Sequence, residues 1–187
     1  ALVSPTIFLV ENADGNSNLD SLMKAVKKGE KPATPAVKSS KPLVIDVKIV
    51  DLKNGAIRQL KNLKGGGREL VELSNINVTL TDLKNGRTGK LSLGADVKVD
   101  NNPPAPGTSA SLQAKLIGNF TFDLAQDLNP AAVKGSAALV VEKATGALND
   151  LAAFAASLDC EATPTEIKQI ALKFRKAMGG EPTYQYM

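Results

Sequence analysis

The sequence has no histidine and only one cysteine among its 187 residues. Without histidine there is no His-based catalytic triad, no imidazole metal ligand and no histidine proton shuttle. The single cysteine, Cys160, cannot form an internal disulfide or a thiolate metal cluster. Its neighbours Asp159 and Glu161 do not activate a thiol, so we interpret Cys160 as a packed or inert residue.

Aromatic residues are also scarce, at 4% of the chain with no tryptophan. A compact core would therefore consist almost wholly of leucine, valine, isoleucine and alanine, and this shortage favours a sheet that is incompletely buried. No stretch approaches the roughly 20 apolar residues of a membrane-spanning helix, and no signal peptide is visible. The net charge of +4 comes from scattered lysines, which indicates a solvated outer face and does not support nucleic-acid binding.

Catalytic motifs are missing as well. The chain contains no Gly-x-Ser-x-Gly sequence. The glycine-rich segment 64–68 lacks the strand-to-helix context and the Lys-Ser/Thr pair of a phosphate-binding loop. We therefore predict that the protein is not an enzyme and needs no cofactor and no metal.

The chain does have long alternation of apolar and polar residues. The alternation is clearest at 111–124, where it predicts a strand more than about 40 Å long. Similar patterns at 74–80 and 90–99 predict further long antiparallel strands, each with one apolar face. The candidates for this apolar, lipid-facing surface are Ile76, Val78, Leu80, Leu91, Leu93, Val97, Val99, Leu112, Leu116, Phe120 and Phe122.

The N-terminal part has a different character. Residues 1–11 are predicted to form a strand that Pro5 interrupts at a sheet edge or a bulge. A turn with Asn18 as the N-cap leads into a short helix over 21–28. The segment 30–42 contains three prolines and has no periodicity, so we expect a flexible linker that is cleaved first in limited proteolysis.

The middle of the chain is predicted to be a meander of strands. The sequence DLKNG occurs at 51–55 and at 82–86 and predicts a hairpin turn at each place, either as a favoured turn or as a weak internal repeat. The segment 64–68 is expected to interrupt the strand that follows the first turn. A polar loop is predicted over 127–135, before another strand. Four apolar residues ahead of the first turn are expected to share one face: Leu43, Ile45, Val47 and Ile49.

The last part of the chain has competing signals. Residues 148–158 fit either a helix or a half-buried strand. At 165–178 the capping-box sequence of Thr163 and Glu166 favours a helix. The apolar residues at 170, 172 and 174 alternate as they would in a strand.

The motifs follow one another in a recognisable order: a strand with Pro5, the pair Asp14-Gly15, the triplet 18–20 ahead of a short helix, and a strand ending in Asn54-Gly55. This order resembles the AsmA family of bacterial envelope proteins, which are related to TamB and to the bridge-like lipid transfer proteins. The resemblance implies a mainly β fold, with long antiparallel amphipathic strands in a curled open sheet or β-groove and one short helix in the N-terminal half. It also implies a strand over 167–174.

Two functions follow as hypotheses. In the first, residues 1–187 are one β-groove fragment of a longer protein, and the groove binds or conducts the acyl chains of phospholipid or another acyl lipid. The resemblance implies a periplasmic location, a membrane contact or inner-membrane anchor through the parent chain, and a role in outer-membrane biogenesis, with no nucleic-acid partner. In the alternative, the strands form a structural or adhesion β-sandwich that acts through protein–protein contacts.

Overall fold

The computed structural model describes residues 1–20, 44–105, 107–178 and 181–182. The helix predicted over 21–28 and the linker predicted over 30–42 lie outside these residues. The described residues form ten strands and one short 3₁₀ helix, so the fold is mainly β, as predicted. The elements are β1 (Leu2–Val3), β2 (Thr6–Glu11), β3 (Asp46–Asn62), β4 (Arg68–Lys84), β5 (Thr88–Asn102), β6 (Ala110–Leu124), β7 (Pro130–Gly146), η1 (Asn149–Leu151), β8 (Phe154–Thr163), β9 (Glu166–Met178) and β10 (Glu181–Pro182).

All ten strands belong to one sheet, which is open. From β3 to β10 each strand pairs antiparallel with the next strand along the chain, whereas β1 and β2 both pair in parallel with β3. Strands β3 to β7 have 15 or 17 residues each, well above the usual length of about five or six. The described structure is therefore a single long sheet, antiparallel from β3 onward.

The strand predicted at 111–124 is confirmed as β6. Its pairing with β5 runs without a bulge from Asp123, opposite Thr88, to Ala110, opposite Asn101. An unbroken register keeps alternate side chains on the same side of the sheet, so the apolar residues of β6 share one face, with the exception of Ile117.

The first DLKNG copy is not a turn, contrary to the prediction. β3 continues through it, with register shifts on both sides of Gly55, and Asn54 has a φ of 53°. Because β1 and β2 flank this segment on one side and β4 pairs with it on the other, the Asn-Gly pair forms a β-bulge and does not reverse the chain. The second copy does form a hairpin turn, in which the Arg87 N–H donates to the Lys84 carbonyl.

Val47 and Ile49, predicted to share a face at the start of β3, do so, but it is the polar side of the sheet. Leu43 lies outside the described residues, and Ile49 lies opposite Thr81 on the polar side of the sheet. The residues that meet the apolar side chains of β4 are Val50, opposite Leu80, and Leu52, opposite Val78. This segment is apolar at both odd and even positions, so its pattern could not determine which set faces inward.

The glycine-rich segment 64–68 does not interrupt a strand. It forms the hairpin turn between β3 and β4, where Gly65, Gly66 and Gly67 all have positive φ. Glycine adopts this backbone conformation without the strain that a Cβ would cause. The polar loop predicted over 127–135 is shorter than expected, because β7 already begins at Pro130.

The C-terminal region consists mainly of strands and not of the helices that were the alternative. Residues 149–151 form η1, and β8 follows from Phe154. The strand expected over 167–174 is confirmed as part of β9. Thr163 and Glu166 pair with each other across the β8–β9 turn and do not cap a helix. Pairing of the alternating residues of β9 with β8 therefore overrides the local helix signal.

The N-cap contacts belong to Ser17 and not to Asn18. The Ser17 N–H donates to Asp20 Oδ2 at 2.9 Å, and Ser17 Oγ accepts from the Leu19 N–H at 3.1 Å. Local side-chain-to-backbone bonds of this kind are typical of an N-cap residue. The side chain of Asn18 is engaged elsewhere, on the backbone of β2.

Candidate apolar binding face

The predicted surface residues come together on one side of the sheet. Residues that lie opposite each other in an antiparallel pair have their side chains on the same face. Leu80, Leu91 and Phe120 form one such row across β4, β5 and β6. Ile76 joins this face opposite Gly55. All eleven predicted residues lie on this side, which we call the apolar face, and all are half-buried. Their contact with lipid stays a prediction.

The apolar face extends further than the sequence indicated. Leu116 lies opposite Leu139, which lies opposite Ala156, which in turn lies opposite Phe174. The rows therefore reach from β3 to β9. In β9 the alternation at 170, 172 and 174 indicated which residues share the apolar face. In β3 the bulge at Gly55 shifts the alternation, so the sequence pattern did not indicate them. Large residues of this face that were not selected as lipid-facing are Val50, Leu52, Ile57, Val71, Leu73, Val133, Leu139, Leu158, Ile167, Ile170, Leu172 and Phe174.

The middle of the apolar face carries no charge in the described structure. On β5 every position of this face from Gly89 to Val99 is glycine, alanine, leucine or valine. The same holds on β9 between Ile167 and Phe174, where isoleucine, leucine and phenylalanine occupy the face. Ten residues of strand span about 34 Å, and the five intervals from β4 to β9 span about 24 Å. The uncharged area is therefore large enough for hydrocarbon chains.

Most of the ion pairs between neighbouring strands lie on the opposite face. Lys115 Nζ lies 2.6 Å from Glu142 Oε1, and Lys134 Nζ lies 2.9 Å from Glu161 Oε2. The hydrogen bond from Lys134 lowers the pKa of Glu161, and the hydrogen bond to Glu142 raises the pKa of Lys115. These pairs are exposed and each contributes little to stability, but they make this side of the sheet hydrated. We call this side the polar face.

The two phenylalanines of β6 lie against glycines on the apolar face. A Cβ on Gly118 would lie 3.0 Å from Cε2 of Phe120, and a Cβ on Gly135 or Gly89 would collide with the ring of Phe120 or Phe122. A ring that covers a cross-strand glycine buries aromatic surface within the sheet itself. Glycine at these places therefore lets the rings lie close to the backbone.

One corner of the apolar face is covered by the chain itself. Ala114, Val141 and Ala144 are 2%, 4% and 7% exposed and form the buried cluster. Side chains of the β7–β8 connection, Leu148 and Ala152, pack over this cluster together with neighbouring residues such as Phe154. We call it the covered corner. Together with Ala110, it accounts for every buried hydrophobic residue in the described ranges.

The rest of the apolar face is open. Val133, Ile167, Ile170 and Leu172 are 38%, 67%, 62% and 45% exposed, and we call the area around them the open stretch. Within the described residues, strands contact their neighbours in the sheet and η1 contacts β7, so no second layer of strands or helices packs on this face. A cleft of about 570 Å³ lies at this end, between the β6–β7 and β8–β9 turns, and is lined mainly by Pro130, Val133, Ala162 and Pro164.

The part of the chain that the structure describes offers little support for other kinds of site. It contains no group of three or more His, Cys, Asp or Glu side chains that could bind a metal ion. Its helices include none that is long and apolar enough to cross a bilayer. Cys160 lies half-buried on the apolar face, between Gly135 and Ile170.

No protein-family model, no curated protein and no solved structure matches the chain. The resemblance of its motifs to the AsmA family therefore stays a prediction. The function has to be argued from the geometry and chemistry of the apolar face.

Proposed function

We propose that the apolar face binds the acyl chains of phospholipid or a related lipid, as one segment of a longer groove. The observation that carries the proposal is an open sheet whose apolar face is continuous from β3 to β9 and is covered, among the described residues, only at the covered corner. Exposed apolar surface of this extent marks an interaction site.

Acyl chains fit the face in size and in energy. The uncharged area is about 34 Å long, whereas the hydrocarbon of one bilayer leaflet is about 15 Å deep, half of the roughly 30 Å core. Each CH₂ group removed from water contributes about 0.8 kcal/mol, so covering eight of them contributes about 6 kcal/mol. A polar headgroup can stay in water beyond the rim of the sheet.

This binding requires no covalent chemistry, so we propose a non-enzymatic protein without a cofactor. The order of its motifs, which resembles that of the AsmA family, supports a location on the periplasmic side of a bacterial inner membrane and a role in outer-membrane biogenesis. The alternative of an adhesion β-sandwich has less support, because all ten strands belong to one sheet.

Adjacent residues of β6 provide a matched test. Leu116 is half-buried on the apolar face, and its neighbour Ile117 is 55% exposed on the polar face. Binding of a fluorescent phospholipid analogue should weaken at least tenfold in Leu116→Asp, because a carboxylate placed against hydrocarbon costs several kcal/mol. The same substitution at Ile117 should leave binding unchanged.

Circular dichroism should show that both variants remain folded. Equal weakening in the two variants, or no binding by the unmodified protein, would contradict the proposal. Mass spectrometry of an organic extract of the purified protein provides an independent measurement, since bound phospholipid should co-purify.

A further inference from the structure

The apolar face is low over β7 and β8, next to the open stretch. In each of four pairs of opposite residues there, at least one side chain is that of glycine or alanine, so little volume projects from the sheet. The pairs are Val133 with Ala162, Gly135 with Cys160, Ala137 with Leu158, and Leu139 with Ala156. We call this depression the trough.

Larger side chains border the trough on both sides. On the β6 side the border is Phe120, whose ring lies so close to Gly135 that a Cβ there would collide with it. On the β9 side the border is formed by Ile170 and Leu172, which lie opposite Cys160 and Leu158. Ile170 and Leu172 are exposed, so the trough is accessible from solvent.

The chain itself closes one end of the trough. Beyond Leu139, the next residue of β7 on this face is Val141 of the covered corner. On β8, Phe154 packs against the covered corner, and its ring stacks on that of Phe174 in β9 with 5.8 Å between the ring centroids. These apolar contacts form a barrier that reaches from β7 to β9, and we call it the stop.

The other end of the trough opens into the cleft of about 570 Å³, because Val133 and Ala162 belong both to the trough and to the lining of the cleft. Asn129 and Thr163 bring polar side chains to the same lining. The six residues from Val133 to Leu139 span about 20 Å, whereas the hydrocarbon of one bilayer leaflet is about 15 Å deep. The trough is therefore long enough for an acyl chain that lies along the strands.

We propose that the trough binds an acyl chain in one direction, with the methyl end at the stop and the headgroup at the cleft. This inference rests on the proposed function and adds a fixed orientation to it. At the stop, a phosphate would lose its hydration among the side chains of Val141, Phe154 and Phe174, which offer no charge and no hydrogen-bond donor in return. At the cleft, the headgroup stays in contact with water.

Two photoreactive phosphatidylcholines test the orientation with the full chain. One has a diazirine at the methyl end of an acyl chain, and the other has it next to the glycerol. Each is mixed into phosphatidylcholine vesicles and incubated with the protein. The protein is then separated from the vesicles by centrifugation and irradiated, and mass spectrometry of its peptides locates the attached lipid.

The two probes should label opposite ends of the trough. We expect the methyl-end probe to label the stop, around Phe154 and Phe174, at least fivefold more than the cleft. The glycerol-end probe should show the reverse preference, for the segments around Pro130 and Pro164 that line the cleft.

A matched pair of variants locates the acyl chain. Ala137 is half-buried in the trough, and its neighbour Ala138 is half-buried on the polar face, opposite Ile117. Ala137→Phe should reduce labelling of the stop by the methyl-end probe at least fivefold, while the glycerol-end probe still labels the cleft. Ala138→Phe adds the same bulk to the other face and should change neither. Ala137→Leu should give an intermediate result and serves if the larger ring perturbs folding.

The outcomes separate this inference from the function on which it rests. Reversed labelling, or equal labelling of both ends by each probe, would overturn the fixed orientation and leave lipid binding by the apolar face intact. Undiminished labelling of the stop in Ala137→Phe would place the acyl chain outside the trough. Capture of neither probe by the unmodified protein would contradict the proposed function and this inference together.

Discussion

Two places on β7 share a residue type and a face but differ sharply in burial. Val141, in the covered corner, is 4% exposed, whereas Val133, in the open stretch, is 38% exposed. The difference comes from the short β7–β8 connection, which folds back over one place and not over the other. A single sheet therefore does not form a core by itself, because burial requires a second layer. The open stretch is left for something outside the described chain to cover.

The largest difference in stability is expected when valine is replaced by aspartate in the covered corner and in the open stretch. Val141→Asp should lower the free energy of unfolding by about 3 kcal/mol or more, because it buries an unpaired carboxylate. Val133→Asp should lower it by less than about 1 kcal/mol, because water can reach the new charge. Urea unfolding of the two variants measures both values. A similar loss in both would mean that the open stretch is packed as tightly as the covered corner.

A smaller loss of stability is expected where a phenylalanine ring packs on a glycine of the apolar face. A Cβ on Gly135 would collide with the backbone and ring of Phe120, so Gly135→Ala should cost about 1–3 kcal/mol. Gly94→Ala is the control, because its new Cβ would meet nothing closer than the Leu116 carbonyl at 3.9 Å. We expect it to change stability by less than about 1 kcal/mol. Equal effects in thermal unfolding would show that the rings do not lie on the glycines.

The smallest effect is expected on the polar face. Because Lys134 lowers the pKa of Glu161 below its ordinary value of 4.5, this pair stabilises the fold above that pH and stops doing so as the pH falls through the lowered value. Lys134→Met should therefore reduce stability slightly at pH 7 and leave it unchanged near pH 2. Lys168 also faces Glu161 and should keep part of the effect. A larger loss in acid than at neutral pH would refute this assignment.

The sequence predicted the sheet best where its register is regular. The alternation in β5 and β6 translated directly into one apolar face, because no bulge separates the two strands. Prediction failed where pairing with distant strands decides the conformation. Asn54 and Gly55 fit a turn locally but lie in a bulge between the parts of β3 that pair with β1 and with β2, opposite β4. At Thr163 and Glu166 the capping-box sequence favoured a helix, but the alternation at 170, 172 and 174 favoured a strand, and pairing with β8 decided for the strand.

The most direct test of lipid binding compares two neighbouring positions on β6. Phe120 lies on the apolar face, and Thr121 lies on the polar face, opposite Lys134. A photo-crosslinking side chain placed at each position in living cells should capture lipid from position 120 and none from position 121. Equal capture from both positions, or none from either, would contradict the binding of acyl chains by the apolar face.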